Sequence, residues 1–147
     1  MNAATEITNL LYLYAELLDG GDLDGAAALF DHATLKTVGG KQVDARGLRA
    51  LWDDFVKLHP DGTPMTKHVI TNPILAIDEK KGEASCRSYY TVLQATPDLP
   101  LQVVGAGRYH DTFERVDGVW RFATRDYSLF DHQGNLGEHL LSGVSKT

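Results

Sequence analysis

A few side chains of this 147-residue chain have types and positions that could move or hold a proton: Tyr14, Asp19, His68 and the late pair Arg125-Asp126. Asp19 stands where the first helical stretch ends, beside Gly20-Gly21, and there the helix macrodipole disfavours a negative charge by about 0.3–1 kcal/mol. Local helix stability does not select it, so it is either a solvated helix-end carboxylate or a functional one. Tyr14 lies on the apolar side of the same stretch. It is either a core tyrosine with a satisfied hydroxyl or an acid or anchor at a pocket wall. His68 occurs in Thr66-Lys-His-Val-Ile-Thr-Asn72, a strand start in which residues 68, 70, 72 and 74 share one face by period two. A histidine and an asparagine among isoleucines are costly in a dry core without partners. The pattern predicts a polar-lined pocket holding His68 and Asn72, with a hydrogen-bonded structural histidine as the alternative.

Other chemistries find no support in the spacing. His132 and the Glu138-His139 pair lack the His and Cys spacing of a metal site. There is no nucleophile elbow, P-loop or dinucleotide fingerprint, and nothing in the chain requires a cofactor. A net charge of −6 argues against nucleic acid as a partner, because phosphate binding needs clustered Lys and Arg. The one basic doublet, Lys80-Lys81, sits in a charged loop, Asp78-Glu-Lys-Lys-Gly82. No apolar run approaches the ~20 residues that span a bilayer. The start of the chain lacks a basic segment followed by an apolar run and a cleavage site, and Cys86 is the only cysteine. Both features lead to the expectation of a cytoplasmic protein.

The elements that must position these side chains follow from periodicity. Ile7, Leu10, Leu11, Tyr14, Leu17 and Leu18 recur at helical spacing, with Thr5 as N-cap and Gly20-Gly21 as stop. Asp22 caps a shorter helix with Ala26, Ala27, Leu29 and Phe30 on its apolar face. Thr34 to Val38 and Lys41 to Val43 flank Gly39-Gly40 as a short hairpin, and Asp44 opens a helix carrying Leu48, Leu51, Trp52, Phe55 and Leu58 up to Pro60-Asp-Gly62. Strands are expected over 68–77, 83–93, 101–113 and 119–129. Helices first and a strand meander after them predict an α+β fold, three N-terminal helices packed on one face of a curved antiparallel sheet. The length and 43% hydrophobic content suit one domain over 1–147, large enough to bury roughly 70% of the surface its unfolded form exposes. Its core is expected over about 5–130, with residues 131–147 as a tail or subunit contact.

The last two strands meet at Asp117-Gly118, whose residue types supply the positive φ of a two-residue turn. Strict alternation from that turn places Phe113 opposite Phe122 on the core face and sends Tyr109 and Asp126 inward but Arg125 outward. Arg125 reaches a pocket only if a β-bulge re-aims the strand after Phe122. Otherwise Asp126 is the polar lining residue.

Four segments together resemble a known family: Tyr14 to Asp22 with Ala-Ala-Leu-Phe30 after it, Thr66 to Asn72, Gly107 to Phe113, and Asp117 to Arg125. This combination is similar to the SnoaL-like branch of the nuclear transport factor 2-like superfamily, and the likeness covers most of the chain. The resemblance implies an α+β cone with helices closing one side of the sheet. It is nearest to the cofactor-independent lyases of that superfamily: bile-acid 7α-dehydratase, scytalone dehydratase and hexachlorocyclohexane dehydrochlorinase. It implies an Asp19 and His68 dyad, with Tyr14 and Arg125 completing the catalytic set. Trp52, Phe55 and Tyr109 are then candidate apolar walls for a mostly apolar cyclic substrate. The implied reaction is proton abstraction from carbon, with loss of water or halide or with isomerisation. The chain departs from the bile-acid enzyme at Tyr89-Tyr90-Thr91, where that enzyme carries a further carboxylate. A non-catalytic ligand-binding or scaffold role is the alternative, since ring-hydroxylating dioxygenase small subunits share the fold. Self-association as homodimer or homotrimer is a further implication.

Overall fold

A computed structural model describes residues 1–141 of the chain. The first helix, α1 (Ala3–Asp19), buries Ile7, Leu11, Tyr14 and Leu18 along one face, the stripe that its spacing requires. Its N-cap is Asn2 and not Thr5: the Asn2 side chain accepts the Thr5 N–H at 2.8 Å. After Gly20 the chain turns sharply at Gly21, with φ of 81°, and a β-carbon there would collide with the carbonyl of Gly62. Both demands select glycine. Asp22 then caps α2 (Leu23–Ala28), and Asp44 caps α3 (Ala45–Phe55) through the Gly47 N–H at 2.9 Å. The third helix stops short of the expected Leu58. Val56 is already extended, and it forms a bridge with Leu140 from the far end of the chain.

The strands are β1 (Thr34–Lys36), β2 (Gln42–Val43), β3 (Thr66–Asp78), β4 (Glu83–Thr96), β5 (Leu99–Val116), β6 (Val119–Asp126) and β7 (Phe130–Gln133). They form one mixed sheet in the order β2-β1-β6-β5-β4-β3, with β7 paired to β5 off that path. The β1 and β2 pair is the expected short hairpin, and β1 runs parallel to β6. The helices pack on this curved sheet in an α+β arrangement. Ile7, Leu11, Phe30, Leu35, Phe113 and Phe122 are sealed between the layers. A second apolar cluster gathers Tyr90, Val92, Val104, Tyr109 and Leu136.

Two breaks in strand alternation decide which side chains face inward. Along β3 the pairing jumps from Thr71 opposite Tyr89 to Ile74 opposite Arg87. Asn72 takes a φ of 42° in this bulge, a conformation asparagine tolerates, and Pro73 has no N–H to give to the ladder. The inward phase therefore passes from His68 and Ile70 to Pro73, Leu75 and Ile77. Asn72 is exposed, which corrects its expected place in the pocket. Along β6, Phe122 pairs with Phe113 but Thr124 pairs with Thr112, leaving Ala123 as an extra residue. That bulge turns Arg125 inward and leaves Asp126 on the other side.

The segment after residue 130 differs from the expected tail. β7 pairs with β5 across an irregularity that leaves Asp131 unpaired in the ladder, and Leu136, His139 and Leu140 pack against the body. The expectation of a tail or subunit contact over 142–147 lies outside the described residues.

Candidate functional site

Asp19 is the last residue of α1, and its carboxylate reaches across to the start of β3. Oδ1 accepts hydrogen bonds from Thr66 Oγ1 at 2.8 Å and His68 Nδ1 at 2.6 Å, and Oδ2 accepts the His68 backbone N–H at 2.7 Å. The two side chains are only 8% and 6% exposed, so the pair is held away from bulk water. Burial pushes the Asp19 carboxyl up, but the His68 ring, the His68 N–H and the Thr66 hydroxyl outweigh it and hold the group below its ordinary range. Because Nδ1 is the nitrogen bonded to a carboxylate, it carries the proton and Nε2 is left as the basic nitrogen.

His68 forms part of the wall of a cavity of about 590 Å³. Trp52 and Phe55 from α3, Tyr90 and Val92 from β4, and Tyr109 from β5 line it together with Tyr14, Tyr127, Phe130 and Leu140. Aromatic walls with few polar groups are the composition of a small-molecule site. Tyr14 accepts a hydrogen bond from the Tyr127 hydroxyl at 3.1 Å and stacks on Trp52 with ring centroids 6.3 Å apart. Burial drives the phenol pKa of Tyr14, Tyr109 and Tyr127 well above the ordinary value. These hydroxyls remain neutral donors.

Arg125 does not line the cavity. It is 1% exposed and donates from Nε and Nη2 to Asp111 Oδ1 and Oδ2, at 2.7 and 3.0 Å. Its guanidinium carbon lies 3.8 Å from the Tyr109 ring centroid and 4.4 Å from that of Tyr14. Burial works against the guanidinium charge, but the Asp111 carboxylate outweighs it and holds Arg125 protonated. The cation stands behind the phenols, and its field favours negative charge on them. Asp126 is not a lining residue either. Its carboxylate accepts from the Ser128 N–H at 2.8 Å and the Ser128 hydroxyl at 2.6 Å, the closure of a local turn beyond the bulge.

The structure thus brings Tyr14, Asp19, His68, Trp52, Phe55 and Tyr109 together, puts Arg125 one layer behind them, and leaves Asn72 and Asp126 outside. It adds Tyr90, Tyr127 and His139 to the cavity wall. The sequence signal for His139 is Leu136 and Leu140, an i, i+4 apolar pair that flanks it. Among the described residues, no group of three or more His, Cys, Asp or Glu side chains is placed to hold a metal ion.

The SnoaL-like domain family matches residues 1–126. Solved structures of similar fold include an NTF2-like protein with a cystatin-like fold from Novosphingobium aromaticivorans, at 19% identity and TM-score 0.70, covering 88% of this chain and 83% of that one. A scytalone dehydratase-like protein of the same organism superposes with TM-score 0.67 at 20% identity, covering 91% of this chain and 93% of its own. The β subunit of an aromatic-ring-hydroxylating dioxygenase-like enzyme, again from that organism, gives 0.68 at 18% identity, with 92% and 94% covered. At these identities the likeness concerns the fold. No curated protein sequence matches the chain.

Proposed function

The chain belongs to the SnoaL-like domain family, and from that premise we propose that it is a cofactor-independent lyase or isomerase acting on a mostly apolar cyclic small molecule. The observation that carries the reading is the 2.6 Å bond between Asp19 and His68 at the wall of an aromatic-lined cavity. His68 Nε2 takes a proton from a substrate carbon. The electron pair of that C–H bond becomes a C=C bond as the neighbouring C–O or C–halogen bond breaks. For a hydroxyl leaving group, the proton held by His68 passes to the departing oxygen and water forms. In the isomerase variant the same proton returns to a different carbon. Asp19 holds the Nδ1–H tautomer and stabilises the imidazolium without taking the proton itself. Tyr14 donates to the oxygen on which charge develops, where a fixed donor in a water-poor site has most effect. Arg125 acts through the tyrosine rings and is a positioning residue.

Exposed Tyr89, Leu101 and Val103, 56%, 73% and 53% accessible on the outer face of the sheet, support self-association as a homodimer or homotrimer. Among the described residues no helix is long and apolar enough to cross a membrane, and a cytoplasmic location is part of the same reading. The cavity by itself also suits a ligand-binding or scaffold module without catalysis. Incubation of the purified protein in D₂O with cyclic alcohols, halides and ketones separates the two. Mass-spectrometric loss of water or halide, or deuterium uptake, that disappears in His68→Ala supports the lyase or isomerase. Binding without any such change supports the module.

A further inference from the structure

His139 is carried into the cavity by a segment tied to the body at several points. Its N–H donates to the Leu136 carbonyl at 3.0 Å, and its carbonyl accepts the Lys57 N–H at 2.9 Å. The Leu141 N–H donates to the Phe55 carbonyl at 2.8 Å. The neighbouring Glu138 carbonyl accepts from Gln94 Nε2 at 2.8 Å and lies 2.7 Å from His59 Nε2, while the Glu138 carboxylate meets Lys57 Nζ at 2.7 Å and Thr96 Oγ1 at 3.2 Å. A strap tied at so many points does not place a side chain by accident. Yet His139 is 7% exposed and its Nδ1 is sealed from solvent with no partner among the described residues. An unpaired buried polar atom costs about 1–3 kcal/mol, and the His139 side chain makes no hydrogen bond among the described residues, so the ring's hydrogen-bonding capacity is left for another group.

The ring stands edge-on to His68, with centroids 5.8 Å apart and an interplanar angle of 70°, and it lines the same cavity. We propose that His139 is a ligand-binding residue whose imidazole hydrogen-bonds a hydroxyl or carbonyl oxygen at the His68 end of the cavity. The inference rests on the cavity being the substrate site and assigns that substrate an oxygen there. Burial, with His68 and His59 acting in the same direction against the opposing pull of Asp19, pushes the imidazole down to about 3. A neutral ring offers one donor and one acceptor, the complement of a hydroxyl, and it adds no positive charge beside the imidazolium that forms on His68.

Titration with 2-naphthol and with naphthalene tests this without a known substrate. One added hydrogen bond of about 1.4 kcal/mol makes wild type bind 2-naphthol about tenfold more tightly than naphthalene. Saturating 2-naphthol shifts the His139 side-chain ¹⁵N resonances, and naphthalene does not. His139→Phe loses the preference and His139→Gln restores part of it. The wild-type ¹⁵N measurement stands even if a variant fails to fold. Unmoved His139 resonances, a preference retained in His139→Phe, or failure of both probes to bind overturns the proposal. Turnover that still depends on His68 while His139 is silent overturns this inference alone. A His139-dependent preference in a protein without turnover overturns the lyase reading and leaves this one standing.

Discussion

Asp111 binds Arg125 through both carboxylate oxygens, and the pair is sealed at 0% and 1% side-chain exposure behind the aromatic wall of the cavity. Neither charge can be relieved by water, so removing one strands the other. Breaking such a pair costs about 3–5 kcal/mol, whereas replacing both partners by apolar groups of similar volume costs far less. Asp111→Ala is expected to lose that amount in urea unfolding, and Asp111→Leu with Arg125→Met is expected to be the more stable protein. A single variant as stable as wild type would show that the pair does not carry the guanidinium.

The inward aim of Arg125 depends on Ala123 being taken up as an unpaired extra residue in β6. Deleting Ala123 removes the extra residue and leaves Thr124, Arg125 and Asp126 opposite Thr112, Asp111 and His110, so Arg125 keeps the inward face of Phe122 without a bulge. The deletion protein is expected to keep the near-UV circular dichroism of the wild type. Loss of that spectrum would contradict the bulge.

These two bulges mark the boundary of what the sequence discloses. Helix stripes, the Asp22 and Asp44 caps and the Asp117-Gly118 hairpin are local, and local propensity specified them. Phase along a long strand is not local. Period two from the hairpin gave Phe113 opposite Phe122 correctly, then failed one residue later at Ala123, whose side chain carries no bulge signal. In β3 the Asn72-Pro73 dipeptide did carry one, since proline cannot donate to a ladder and asparagine tolerates positive φ. The proximity of Asp19 and His68 came from resemblance and not from spacing, because a contact across 49 residues is set by how α1 packs on β3. The spacing around His139 speaks only against a metal site, and its place depends on a strap held by Lys57, His59 and Gln94.

Burial of neutral His139 makes stability depend on acid. Its folded value of about 3 lies below the ordinary 6.5, so between those values the unfolded chain holds a proton that the folded chain lacks. Stability from this group is complete above the ordinary value and is lost as pH falls towards the folded one, by at most about 1.4 kcal/mol per pH unit. Urea unfolding from about pH 6.5 down to 4.5 is expected to show that slope in wild type and a shallower one in His139→Gln. Equal slopes would mean that His139 is hydrated or charged in the folded protein.

Tyr14→Phe removes one hydroxyl from the cavity and leaves Tyr127 without its acceptor. The expected stability loss is modest, about 1 kcal/mol. Turnover is expected to fall by about 10²–10³-fold, the typical effect of deleting a donor to a developing oxyanion. Unchanged turnover would remove Tyr14 from the reaction and leave it as a packing residue against Trp52.

The central claim is that His68, held by Asp19, removes a proton from carbon. Its most direct test is the turnover of His68→Ala relative to wild type on a substrate identified by loss of water or halide, or by isomerisation. The account predicts a fall of about 10²–10⁴-fold with the fold intact. Turnover equal to wild type in a folded His68→Ala protein would contradict it.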